Sequence, residues 1–155
     1  MDTVAADAGV TVQTVVRKYG SKAGIVKAAH EHFGKEVAAR RAVAPGEIDR
    51  AIEVLTADYE SSGRIVSRLL DQEQKHPVLK PALNRGRRGH RDWLADVFAE
   101  SLLSLSPTKQ EARLDALVVA TDVYVWKLVR LDMGRPVSAY KAIVKRMVCA
   151  ALSED

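Results

Sequence analysis

The stretch VQTVVRKY (12–19) brings together the side-chain types that recognise a DNA duplex. Gln13 offers an amide, Thr14 a hydroxyl, and Arg17 and Lys18 offer cations. Such groups suit base edges in a major groove and the phosphates beside them. At helical spacing they share the outer, polar face of a helix, with the apolar Val15 turned the other way. Thr11 is a suitable N-cap for that helix, and Lys22 falls near the start of the next, where the helix dipole strengthens a phosphate contact. The other chemistry-bearing residues do not group. His30 and His32 point to different helix faces, and His76 and His90 have no Cys or acidic companion at metal-ligand spacing. No Gly-rich phosphate loop and no Ser or Cys nucleophile in a recognisable setting is present. The residues therefore point to a binding protein, not an enzyme, with no metal and no cofactor expected.

The elements that would hold the polar face are short. Ala5 is small enough for a second helix to cross closely, and Gly9 can take the left-handed conformation that ends one helix and turns the chain. Val10 and Val15 are placed to plug the corner from either side. Small residue, glycine and apolar plug at these intervals are what a helix–turn–helix needs. The same spacing also fits an ordinary helical corner with a solvated polar face.

The segment VAADAGVTVQTVVRKYGSKAGIVKAAHEHF resembles the helix–turn–helix of the tetracycline-repressor (TetR) family of bacterial regulators. The resemblance is carried by Val4-Ala5, Ala8-Gly9-Val10-Thr11, Arg17-Lys18-Tyr19 and Ser21-Lys22, continuing into Ile25, Val26, Ala29 and Phe33. A looser likeness, in ATDVYVWKLVRLDMGRP, is to the penultimate helix of some such regulators. The resemblance implies that Thr11, Gln13, Thr14, Arg17, Lys18 and Lys22 face double-stranded DNA, with Tyr19 packing partly beneath them. It departs at Val16, where the family often has a phosphate-contacting tyrosine. It also implies a first helix packed across this pair, whose counterpart would precede Met1. The head is therefore expected without that helix, with apolar surface at Val4, Val15 and Tyr19 uncovered.

Across all 155 residues, strand signals are poor and Ala, Leu, Lys, Arg and Glu dominate. An all-α fold is predicted, with helices near 2–8, 12–19 and 22–43 and a break at APGE (44–47). A further interruption is predicted at SSG (61–63), another start near Pro77 and Pro81, and two last helices near 108–132 and 136–152. This divides the chain into a head with its connecting helix (1–43) and a helical ligand-binding and dimerisation domain (44–155). A net charge of +4 permits nucleic-acid binding without arguing strongly for it. Cys149 is the only cysteine, and no apolar run approaches the ~20 residues of a membrane span. These features fit a cytoplasmic protein with no membrane partner, bacterial if the resemblance holds.

A reader of this type binds a palindromic operator as a homodimer. The segment Leu114 to Trp126 is apolar almost all round, and the last helix carries a companion stripe. Leu117, Thr121, Val125, Tyr140, Val144, Met147 and Ala151 are the expected dimer surface. The resemblance further implies a small-molecule effector pocket among the middle helices, with Tyr59, Leu69, Trp93, Val97, Leu102 and Trp126 as candidates, each equally readable as core. Asp122, a carboxylate inside an apolar stretch, needs a partner if buried; it would bind a ligand or make a structural pair. The basic run NRGRRGHR (84–91) reads as a solvated helix start. The function implied is a ligand-responsive repressor; the alternative is a dimeric small-molecule-binding protein whose vestigial head no longer grips DNA.

Overall fold

The computed structural model describes residues 1–153, so the last two residues of the expected body domain lie outside it. The regular structure among the described residues is all helical, with no strand. Helices α1 (Asp2–Asp7), α2 (Val12–Tyr19) and α3 (Lys22–Arg40) form the head and its connecting helix. The body comprises α4 (Ile48–Gln72), a 3-10 turn (Pro77–Leu79), α5 (Lys80–Val97), α6 (Ala99–Leu103), α7 (Pro107–Thr121) and α8 (Val123–Trp126), followed by a π segment (Lys127–Asp132) and α9 (Val137–Ser153). All-α was the expected class, and the cap expected at Thr11 is in place: its hydroxyl accepts from the Thr14 backbone N–H, as the Ser21 hydroxyl does from that of Gly24 at the start of α3.

The core lies where α4, α5, α7 and α9 meet. Leu55, Leu94, Leu117, Tyr140, Val144 and Val148 are fully enclosed there. Leu117, Thr121, Tyr140, Val144 and Ala151 were expected at a dimer surface; all are buried within the protomer, so a partner cannot reach them. The α7–α9 pair spends those faces on its own packing. Val125 and Met147 are only partly covered.

Several expected helices have different boundaries. α4 runs straight through SSG because Gly63 is a packing residue, not a breaker. The Trp126 ring lies across it, and a Cβ at this position would stand 2.6–2.9 Å from three indole carbons. Ser62 stays helical by donating its hydroxyl to the Asp58 carbonyl one turn back. Conversely, the expected 108–132 helix is interrupted. Asp122 adopts extended backbone angles (φ −67°, ψ 151°), and its carboxylate accepts from the Tyr124 N–H, capping α8. Beyond Trp126 the chain widens into the π turn, closed by the Met133 N–H on the Leu128 carbonyl at 2.8 Å. The stretch expected to be helical from Pro81 to Leu105 likewise bends at Phe98, between α5 and α6.

Gly63 and Gly86 therefore make opposite predictions. Gly63→Ala should lower stability by about 1–3 kcal/mol, the cost of an overpacked methyl. Gly86 is exposed in α5 with nothing near its missing Cβ, so Gly86→Ala should raise stability by about 0.5–1 kcal/mol. Urea unfolding of both variants measures the two signs, and a stabilising Gly63→Ala would contradict the packing described.

Candidate nucleic-acid interface

The head is built on two buried side chains, Ala5 and Val15, at the crossing of α1 and α2. Gly9 takes φ +64°, and the Val10 N–H returns to the Ala5 carbonyl at 3.0 Å, so the chain turns within a few residues. Val10 and Val4 are exposed, so the corner is plugged from one side only. Val15 was expected to be uncovered; it is enclosed because α1 and α3 both pack against α2. At the far end of α2, Tyr19 is half-buried, and a Cβ on Gly24 would run into its carbonyl oxygen. The first turn of α3 thus rests directly on the last turn of α2.

This packing turns the opposite face of α2 outward. Gln13, Arg17 and Lys18 are exposed there, with Thr11 and Lys22 exposed at its borders. Thr14 is half-buried, and its hydroxyl is shared with that of Thr11 at 3.0 Å. Gln13 and Arg17 make no hydrogen bond or ion pair among the described residues, and with Thr14 and Val16 they line an open concavity of about 370 Å³. The Lys18 ammonium stands 5.3 Å from the Tyr19 ring centroid, which holds it at the edge of this face. Of the residues expected from sequence to face DNA, Gln13, Thr14 and Arg17 line this one concavity, Thr11, Lys18 and Lys22 are exposed, and Tyr19 is half-buried.

Behind the head, α3 ends in a buried polar knot that the sequence reading did not find. Arg41, only 7% exposed, follows the last turn of α3. Its Nε and Nη2 donate to Asp58 Oδ2 on α4 at 2.8 and 2.6 Å, and its Nη1 donates to His90 Nδ1 on α5 at 3.0 Å. Arg40 donates to the other Asp58 oxygen from Nε and Nη2 at 3.0 and 2.7 Å. The Arg41 guanidinium carbon lies 5.0 Å from the Tyr59 centroid and 5.5 Å from that of Trp93. The Trp93 indole N–H donates to the Arg41 carbonyl at 2.8 Å, so the freed end of α3 is satisfied by a side chain of α5.

The knot continues to the α7–α8 break. Because Arg41 can only donate, His90 Nδ1 accepts and the neutral ring carries its proton on Nε2, 3.0 Å from Thr121 Oγ1. The Thr121 hydroxyl donates to the Leu117 carbonyl at 2.7 Å. The Tyr59 phenol donates to the Thr121 carbonyl at 3.0 Å, in place of the helical partner that the break removes. Burial, with the Arg41 cation beside it, holds the His90 pKa down to about 3, and burial pushes the Tyr59 phenol up to about 12.

The candidate effector residues lie in this packed interior or on the surface. Tyr59, Val97, Leu102 and Trp126 are buried core, and Trp93 is tied to Arg41. Leu69 is 39% exposed on the outer side of α4, away from the others. Asp122 is half-buried and serves as a helix cap, so the partner sought for it is a backbone N–H. The Trp126 indole N–H donates instead to Glu60, which Arg130 also grips through Nε and Nη2. The basic run of α5 is solvated at Arg87 and Arg88, with Arg87 paired to Glu73 and Arg91 to Asp115 at the surface, while His90 turns into the knot.

Comparison with protein-family models, curated proteins and solved structures returns no match for this chain.

The His90 environment has a sign that can be measured. With its folded pKa depressed, the ring contributes nothing to the pH dependence of stability above about pH 6.5. As the pH falls from there towards 3, the unfolded chain takes up a proton that the folded ring refuses, and stability drops. Urea midpoints should therefore fall more steeply between about pH 6.5 and 4.5 for the parent than for His90→Gln, whose amide can still accept from Arg41 and donate to Thr121. Equal slopes would contradict the knot as described.

Proposed function

We propose that this chain is a TetR-like DNA-binding transcriptional regulator, a ligand-responsive repressor that acts as a homodimer in the bacterial cytoplasm. The observation that carries the reading is the outward face of α2. Gln13 and Arg17 are free of partners among the described residues on a short helix fixed from behind by Val15. Gln13 pairs naturally with adenine N6 and N7, and Arg17 with guanine O6 and N7. Lys18 and Lys22 supply phosphate contacts that set the register without reading sequence. With that face in a major groove, α3 stands behind as a lever whose far end is held at Arg41.

Two reading heads require a pair of chains. In place of the expected residues, the exposed apolar side chains Val119, Tyr124 and Leu128 along α7, α8 and the π segment offer a surface for a second copy to cover. Tyr124 and Leu128 are four residues apart, on the same side of the chain where it leaves the break. An effector that shifts α4, α5 or α7 would move the Asp58–Arg41–His90 contacts and with them α3. A change in head separation costs contacts at both half-sites together, so a modest tilt lowers operator affinity steeply.

Selection of bound fragments from a pool of random duplexes tests the reading. A palindromic motif is expected, with Arg17→Ala weakening its binding at least tenfold while sedimentation still gives twice the 17.0 kDa chain mass. Failure to enrich any duplex, or equal binding by Arg17→Ala, would overturn the assignment of α2; failure to enrich while the chain remains dimeric would favour the vestigial-head alternative.

A further inference from the structure

One flank of the reading face is apolar, and neither the hinge nor the protomer core uses it. Val12 and Val16, four residues apart on α2, are 37% and 43% exposed, although Val15 between them is buried. Their exposure is not a consequence of helix length: α2 is an eight-residue helix whose inward side is already occupied by Val15 and Tyr19. On the wheel, Val16 stands between the inward face and the outermost row of Gln13 and Arg17, and it lines the same open concavity as both. Thr14 lies on the opposite flank, its hydroxyl engaged by Thr11. The face therefore presents an amide and a guanidinium able to read purine edges, with a branched apolar side chain immediately beside them.

A major groove displays one apolar group, the 5-methyl of thymine. We propose that Val16 is the thymine-reading residue of this surface, its isopropyl group packing on that methyl next to purines held by Gln13 and Arg17, with Val12 extending the apolar flank. The inference rests on the DNA-binding reading of α2 and adds the base that it prefers. Such a contact carries sequence information, which a phosphate contact does not. Removing the methyl from the base leaves hydrogen bonding of the pair unchanged, which isolates the contact.

The test uses the full chain at fixed salt and the duplex enriched from a random pool. Each thymine of that duplex is replaced in turn by uracil, which lacks only the methyl. Replacement at one position per half-site should weaken binding by the parent about fourfold for each half-site, the value of burying one methyl. Val16→Ala should bind the thymine and uracil duplexes equally and retain the purine preferences next to them. Equal binding of both duplexes by the parent at every position, or an enriched site with no thymine, overturns the inference and leaves the DNA-binding reading intact. Discrimination that persists in Val16→Ala places the methyl contact elsewhere and overturns the assignment to Val16. Enrichment of no duplex at all overturns the underlying reading and this inference with it.

Discussion

The Arg41 guanidinium, enclosed where α3 meets the body, is the constraint on which the arrangement turns. A buried cation is tolerated only where its charge is answered, and here all three nitrogens of the group have a partner. Asp58 takes the charge, His90 takes a donor, and the Tyr59 and Trp93 ring centroids lie 5.0 and 5.5 Å from the guanidinium carbon. Each partner comes with an obligation of its own. Asp58 also recruits Arg40, His90 must stay neutral and fixes Thr121, and Trp93 closes the end of α3. The knot therefore sets the positions of α3, α4, α5 and α7 together, and none of them moves without disturbing a buried polar contact.

That constraint gives the head its place. α3 touches the reading helix at one end, through the Tyr19–Gly24 contact, and ends in the knot at the other. Its own sides are weakly anchored, since no residue between Lys22 and Arg40 is buried. It also packs against the 3-10 turn (Pro77–Leu79) and α5, and a rigid helix transmits a shift at one end to the other. Under the proposed function, this is the physical route from body to operator: a displacement at Asp58 or His90 reaches α2 as a change in tilt. The thymine contact inferred for Val16 would be among the first lost, because a methyl contact depends on close approach while phosphate contacts tolerate small movements.

Much of the frame was legible in the sequence where the signal is local. Thr11 and Ser21 announce helix starts because a hydroxyl beside orphan N–H groups acts within a few residues, and Gly9 marks a turn for the same reason. The outward set of Gln13, Arg17 and Lys18 follows from helical periodicity alone. What escaped depends on distant neighbours. Gly63 reads as a breaker until the Trp126 ring is seen to need its missing Cβ, and Asp122 reads as a buried charge until the backbone is seen to break around it. The dimer stripe fell on the wrong faces for a similar reason: Leu117 and Thr121 of α7 and Tyr140 and Val144 of α9 are spent on packing within the protomer, and the break at Asp122 takes Val125 out of helical phase with the first two. Arg41 gave no signal, since an arginine at a helix end is ordinarily solvated, and only tertiary packing places His90 and Asp58 around it.

A double-mutant cycle between Arg41 and Asp58, read by urea unfolding, tests the knot most directly. Asp58→Leu should cost about 3–5 kcal/mol, because it strands the Arg41 charge in the interior, and Arg41→Met should cost less, because Asp58 keeps its bonds to Arg40. The double variant should cost much less than the sum, since no unpaired charge then remains at the centre. Strict additivity of the two losses would contradict the account.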